Sequence, residues 1–99
     1  MADEQGLPSE EELRAALDKV GVADILLNAL SAAASIGFHR VSPEARDLEQ
    51  VKLAIEALRA LDPVLREAGV DDAIVRDLEQ ARANLQLAYA GAVTESGDA

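Results

Sequence analysis

Cysteine is absent from the chain. That excludes a disulfide framework, a thiol nucleophile and any Cys-ligated metal. Tryptophan is also absent, and Phe38 and Tyr89 are the only aromatic residues. Leu, Ile, Val and Ala must therefore fill the core, which implies close helix packing. Nucleic-acid binding usually brings aromatics for stacking, and they are missing here. His39 is the single histidine. It has neither the second histidine nor the oriented carboxylate that a metal site or a general base requires. No Gly-rich phosphate loop and no nucleophile elbow occurs. A Glu-x-x-His pair of the di-iron bundle type is missing as well. No catalytic, cofactor-binding or metal-ligating residue is assigned, no cofactor is expected, and the chain does not read as an enzyme.

A long uninterrupted apolar run is lacking too. The most apolar segment, Val22 to Phe38, is broken by Asp24, Asn28, Ser31, Ser35 and Gly37. It falls short of the ~18 apolar residues of a membrane span. The start of the chain, Met1-Ala2-Asp3-Glu4-Gln5, is acidic and leads into no apolar run, unlike a secretory signal. No membrane association and a cytoplasmic location are the expectations.

Bases are in deficit: nine Lys and Arg face nineteen Asp and Glu, for a net charge of −10. Phosphate backbones repel such a chain, so direct nucleic-acid contact is not expected. The acidity sits at the ends, with Asp3, Glu4, Glu10, Glu11, Glu12 and Asp18 at one and Glu95 and Asp98 at the other. Solvated ends are the simpler reading, and an acidic arm for a basic partner the sharper one. Arg46, Lys52, Arg59, Arg66, Arg76 and Arg82 each have an acid within four residues, which suits paired, solvated helix faces.

What is present is helical punctuation. Residues 1–8 read as a disordered acidic N-terminus, residues 9–93 as one helical-bundle domain, and residues 94–99 as a disordered tail. Ser9-Glu10-Glu11-Glu12 fits a capping box. Leu13, Leu17 and Val20 follow at helical spacing, and Gly21 ends this short first helix or bends it into the next. The second helix runs from Val22 to about Ile36 and is apolar on nearly every side. Its only polar stripe is narrow, formed by Asn28, Ser31 and Ser35, so it is expected to be buried on most of its circumference. Gly37 suits the left-handed position after it, with Phe38 folding back. His39 then falls in a connector.

Ser42-Pro43-Glu44 reads as the start of the third helix, which runs to about Ala68. Leu48, Val51, Ile55, Leu58 and Leu65 share its main face, flanked by Ala54, Ala57, Leu61 and Val64. Pro63 predicts a kink or restart, with Asp62 as a new cap. Gly69, Val70 and Asp71 read as a stop followed by a start. The fourth helix runs from about Asp72 to Ala92 on a stripe of Ile74, Leu78, Ala81, Leu85, Ala88 and Ala92. Arg46-Asp47-Leu48-Glu49-Gln50 recurs as Arg76-Asp77-Leu78-Glu79-Gln80. Duplication of a helical unit and chance similarity of amphipathic helices both account for it.

The fold class is all-α: a small antiparallel bundle of three main helices plus a short N-terminal helix. The apolar surplus needs cover, and a two-fold homodimer is the commonest solution. A compact monomer with the second helix at its centre is the competing arrangement. The oligomer interface is placed on Ile25, Leu26, Ala29, Leu30, Ala33 and Ile36, where Ala and Ser allow a close helix crossing.

The order of segments resembles a family of small bacterial all-helical proteins of unassigned function. It is carried over residues 22–90 by Ile25-Leu26-Leu27-Asn28-Ala29-Leu30, by Asp47 to Leu58, and by Asp77-Leu78-Glu79-Gln80-Ala81 with Leu85-Gln86-Leu87-Ala88-Tyr89. The resemblance implies a helical bundle in a bacterial cytoplasm and, for some members, genes beside those for translation initiation and ribosomal proteins. It implies no catalytic residue. Function is expected to be that of a non-catalytic, homo-oligomeric protein–protein interaction module, with a further protein partner in view. The alternatives are a carrier of a small apolar ligand held between helices and an accessory of the translation machinery.

Overall fold

The computed structural model describes residues 9–95. The expected disorder of residues 1–8, and of the tail beyond Glu95, lies outside the described residues. Four α-helices follow in order: α1 (Glu10–Lys19), α2 (Val22–Val41), α3 (Leu48–Glu67) and α4 (Asp72–Glu95). A single 3-10 turn, Pro43–Ala45, stands between α2 and α3. The described residues contain no strand.

The local signals act as their chemistry dictates. The Glu12 N–H donates to Ser9 Oγ at 3.1 Å, and the Ser9 N–H donates to Glu12 Oε1 at 2.8 Å. That completes the capping box of α1. Gly69 takes φ +86°, the only positive φ among the described residues. Its N–H donates to the Arg66 carbonyl, and the Val70 N–H reaches back to the Leu65 carbonyl. This pair of bonds closes the end of α3 in the manner of a Schellman motif. Asp71 then caps α4, with Oδ1 accepting from the Ala73 N–H at 2.8 Å.

Several boundaries differ from the sequence reading. The second helix does not end at Gly37 but continues to Val41. His39 therefore lies in its last turn rather than in a connector. Ser42 closes it, donating through N–H and Oγ to the His39 carbonyl. Ser42-Pro43-Glu44 opens only the 3-10 turn. α3 begins five residues after Pro43, at Leu48, where Asp47 Oδ1 accepts from the Gln50 N–H at 3.4 Å. The cause is the connector. Arg46 donates twice to the Val41 carbonyl, and the Asp47 N–H donates to the Arg40 carbonyl. These bonds satisfy the orphan carbonyls at the end of α2. α3 also runs unbroken through Pro63. A proline inside a helix costs ~3 kcal/mol or more, and buried Leu58 and Leu65 on either side hold the helix in place. Asp62 is consequently no cap. α4 continues past Ala92 to include Thr94 and Glu95.

The core is built around α3, which packs on both α2 and α4. Val51, Ala54, Ile55, Leu58 and Leu65 supply its buried face, and Leu30, Ala34, Val75, Leu78 and Leu85 meet them. In α4 it is Val75, not Ile74, that turns inward. α2 packs on both α3 and α4, yet only Leu30, Ala34 and Gly37 of it are buried. The expectation of a mostly buried, central second helix is thus corrected within the chain. The two Arg-Asp-Leu-Glu-Gln segments also occupy different positions. One straddles the cap of α3, and the other lies wholly within α4.

Among the described residues, α1 packs against no other helix and buries none of its residues. The radius of gyration is 17.7 Å, against ~13 Å for a compact domain of 100 residues.

Candidate functional site

The rotation of α2 on the bundle is set by Gly37. A Cβ there would sit 3.1 Å from Leu85 Cδ1 and Cδ2 and 3.2 Å from Ala54 Cβ. Backbone contact at this point pulls α2 down onto α3 and α4 along the line of Leu30, Ala34 and Gly37. A second face of α2 carries Asp24, Asn28, Ser31 and Ser35 to solvent. A third face carries Val22, Ile25, Ala29, Ala32 and Ile36, recurring at steps of three and four, and it is also exposed. An apolar stripe facing water is the feature that requires explanation.

The sequence-derived interface residues divide accordingly. Ile25 is 56% exposed and Ile36 52%, and Ala29 is exposed beside them. Leu26 and Ala33 are half-buried against the core. Leu30, at 2% exposure, belongs to the core of its own chain and presents no surface. Sequence reasoning passed over Leu53 of α3, which is 63% exposed. The signal for it was its place off the Val51–Ile55–Leu58 stripe, where a leucine has no core to face. Ile36 and Leu53 form the walls of a groove between α2 and α3. Ala33, Ala54 and Ala57 make its floor, with Gln50 at one edge. The groove is open to solvent and measures about 130 Å³, below the ~300–1,000 Å³ of small-molecule sites.

α1 presents a similar face. Leu13, Leu17 and Val20 are all exposed, on a helix whose other sides carry Glu10, Glu11, Glu12, Arg14, Asp18 and Lys19. By length and composition α2 is, among the described residues, the one helix able to cross a membrane. Little of it is buried in the bundle. Against the expectation from the sequence, Asp24, Asn28, Ser31, Ser35 and Gly37 leave it apolar enough to span.

Most of the ion pairs join elements. Arg66 bridges Asp72 at 2.8 Å and Glu79 at 2.7 Å. Arg46 reaches Glu95 at 3.1 Å. Arg59–Glu56 and Arg76–Asp72 are local pairs on one helix. Asp62 is 3% exposed, with neither carboxylate oxygen hydrogen-bonded, and Arg82 Nε stands 3.8 Å away. Burial pushes the Asp62 carboxyl above its ordinary range; Arg82 opposes this, Glu79 reinforces it, and Arg66 also opposes it. His39 is exposed, and the described residues contain no group of three or more His, Asp or Glu placed to hold a metal ion. Comparison with protein-family models, with curated proteins and with solved structures found no match.

Proposed function

We propose that this chain is a non-catalytic, homo-oligomeric interaction module, and that its association face is the exposed apolar stripe of α2 together with Leu53. The observation that carries this reading is the mismatch on α2: a twenty-residue apolar helix of which only three residues are buried by its own chain. Apolar surface left in water favours association at ~25 cal/mol per Å². A second copy presents the same stripe, so a two-fold arrangement covers both at once. Ala29, Ala32 and Ala33 let helices approach closely there.

The small open groove suits a side chain better than a carried ligand. A bilayer is the other environment in which such a helix is at home. The stripe of Asp24, Asn28, Ser31 and Ser35 and the net charge of −10 weigh against it. If the chain works in a bacterial cytoplasm, as the sequence resemblance implies, an assembly of the translation machinery is the first place to seek a further protein partner.

Light scattering after size exclusion, across a hundredfold dilution, tests the proposal. Wild-type chain is expected near twice 10.4 kDa. The Ile25→Asp/Ile36→Asp variant is expected at the mass of one chain with unchanged helicity. A wild-type monomer at every concentration sinks the reading, and wild-type binding to lipid vesicles would replace it with membrane association.

A further inference from the structure

We infer that α1 is an arm whose Leu13–Leu17 face seats in the α2–α3 groove of a second copy. This rests on the homo-oligomeric reading above and names the contact that would make it.

Three observations lead to it. α1 is a fully formed ten-residue helix with its capping box in place. Isolated helices shorter than ~12–15 residues are marginal in water, and α1 packs on no other helix of its chain. Its apolar face therefore lacks the contact that would hold it helical.

The groove matches that face. Leu13 and Leu17 are one turn apart and form a ridge. Ala33, Ala54 and Ala57 form a shallow floor between the walls Ile36 and Leu53. A ridge of large residues over a floor of small ones allows helix axes to approach within ~8–10 Å. The charged residues Glu10, Arg14 and Asp18 would remain at the rim.

Reach decides which chain supplies the arm. The link between α1 and α2 is two residues, Val20 and Gly21, both extended. At ~1.5 Å per residue, α1 is ~15 Å long. Folded back on its own α2, it would end near the level of Ala32. Ile36 lies ~21 Å along α2 from Val22, beyond Leu13 and Leu17. Only another copy can bring them to Ile36 and Leu53. Two arms in two grooves close a two-fold dimer. Leu13, Leu17, Ile36 and Leu53 are each between 48% and 64% exposed, apolar surface that such a contact takes out of water.

Because the chain lacks cysteine, introduced thiols report the contact cleanly. Leu17→Cys chains are mixed with Leu53→Cys chains, one of the two extended by a tag, under mild oxidation. Leu17 and Leu53 are both exposed, so neither change disturbs the core. A mixed disulfide is expected at least tenfold above that formed with Leu87→Cys, an exposed α4 position. Light scattering on the same samples separates the failures. A dimer that gives no Leu17–Leu53 link, or whose Ile36→Cys chains link to each other instead, overturns the arm and leaves the oligomer standing. A monomer overturns both.

Discussion

Gly37 gives up ~1 kcal/mol of helix propensity relative to alanine, yet it sits inside α2. What it returns is contact with Leu85 and Ala54, which a methyl group would crowd. Overpacking of this kind costs ~1–3 kcal/mol. Gly37→Ala is therefore expected to lose about 1 kcal/mol net, and Gly37→Val more, in urea unfolding. Asp62 and Arg82 make the opposite case, a buried carboxylate facing a partly exposed arginine without a hydrogen bond. Such a pair is weak support for stability, but removing one partner strands the other. Arg82→Met strands the buried carboxylate and is expected to cost ~3 kcal/mol, whereas Asp62→Asn leaves Arg82, 30% exposed, able to hydrate and is expected to be neutral or stabilising at neutral pH. The pH dependence follows from the raised Asp62 pKa. Its contribution to stability is fully present below the ordinary carboxylate value of ~3.9 and is lost as pH rises through the folded-state value. Asp62→Asn should flatten that part of the stability curve, and denaturant titrations between pH 3 and 7 check it.

Each helix owes its limits to local bonds and its place to burial, and α1 and α2 separate the two. α1 has the first without the second. Ser9→Ala removes the cap at a cost of ~1 kcal/mol. Hydrogen exchange at the amides of residues 13–20 should then speed up about fivefold, with exchange around Leu58 unchanged. Glu12, held below the ordinary carboxylate range chiefly by its bond from the Ser9 backbone, supports the cap at neutral pH and loses that role as pH falls through its lowered value. α2 has burial on one line only. Leu30→Asp, on that line, is expected to unfold the chain, because Leu30 belongs to the core. Ile25→Asp, on the exposed stripe, should leave folding intact and abolish association. Circular dichroism with light scattering distinguishes the two outcomes.

For the whole molecule, the ruling fact is that α2, α3 and α4 pack on one another and still leave most of α2 uncovered. α3 takes the centre because its apolar stripe is wide enough to meet α2 on one side and α4 on the other. α2 meets α3 and α4 along one line only, and α1 meets neither. Small-angle scattering offers a check at this scale. A dimer with docked arms should show a radius of gyration little above the 17.7 Å of the single chain, because the arms fold into the partner rather than project.

The helix count, the cap at Ser9, the stop at Gly69, the start at Asp71 and the core stripe of α3 were legible in the sequence alone. These depend on side chains bonding or packing within a few residues of themselves, so spacing and residue type determine them. The use of Gly37 as a packing contact, the commitment of Leu30 to the core and the inward turn of Val75 rather than Ile74 were not. Nor were the burial of Asp62 and the bare Ile36–Leu53 groove. Each depends on what another helix, distant in sequence, places opposite. Hydrophobic periodicity shows how much apolar surface a helix owns; only the packing of α2, α3 and α4 decided which part of it the chain could cover.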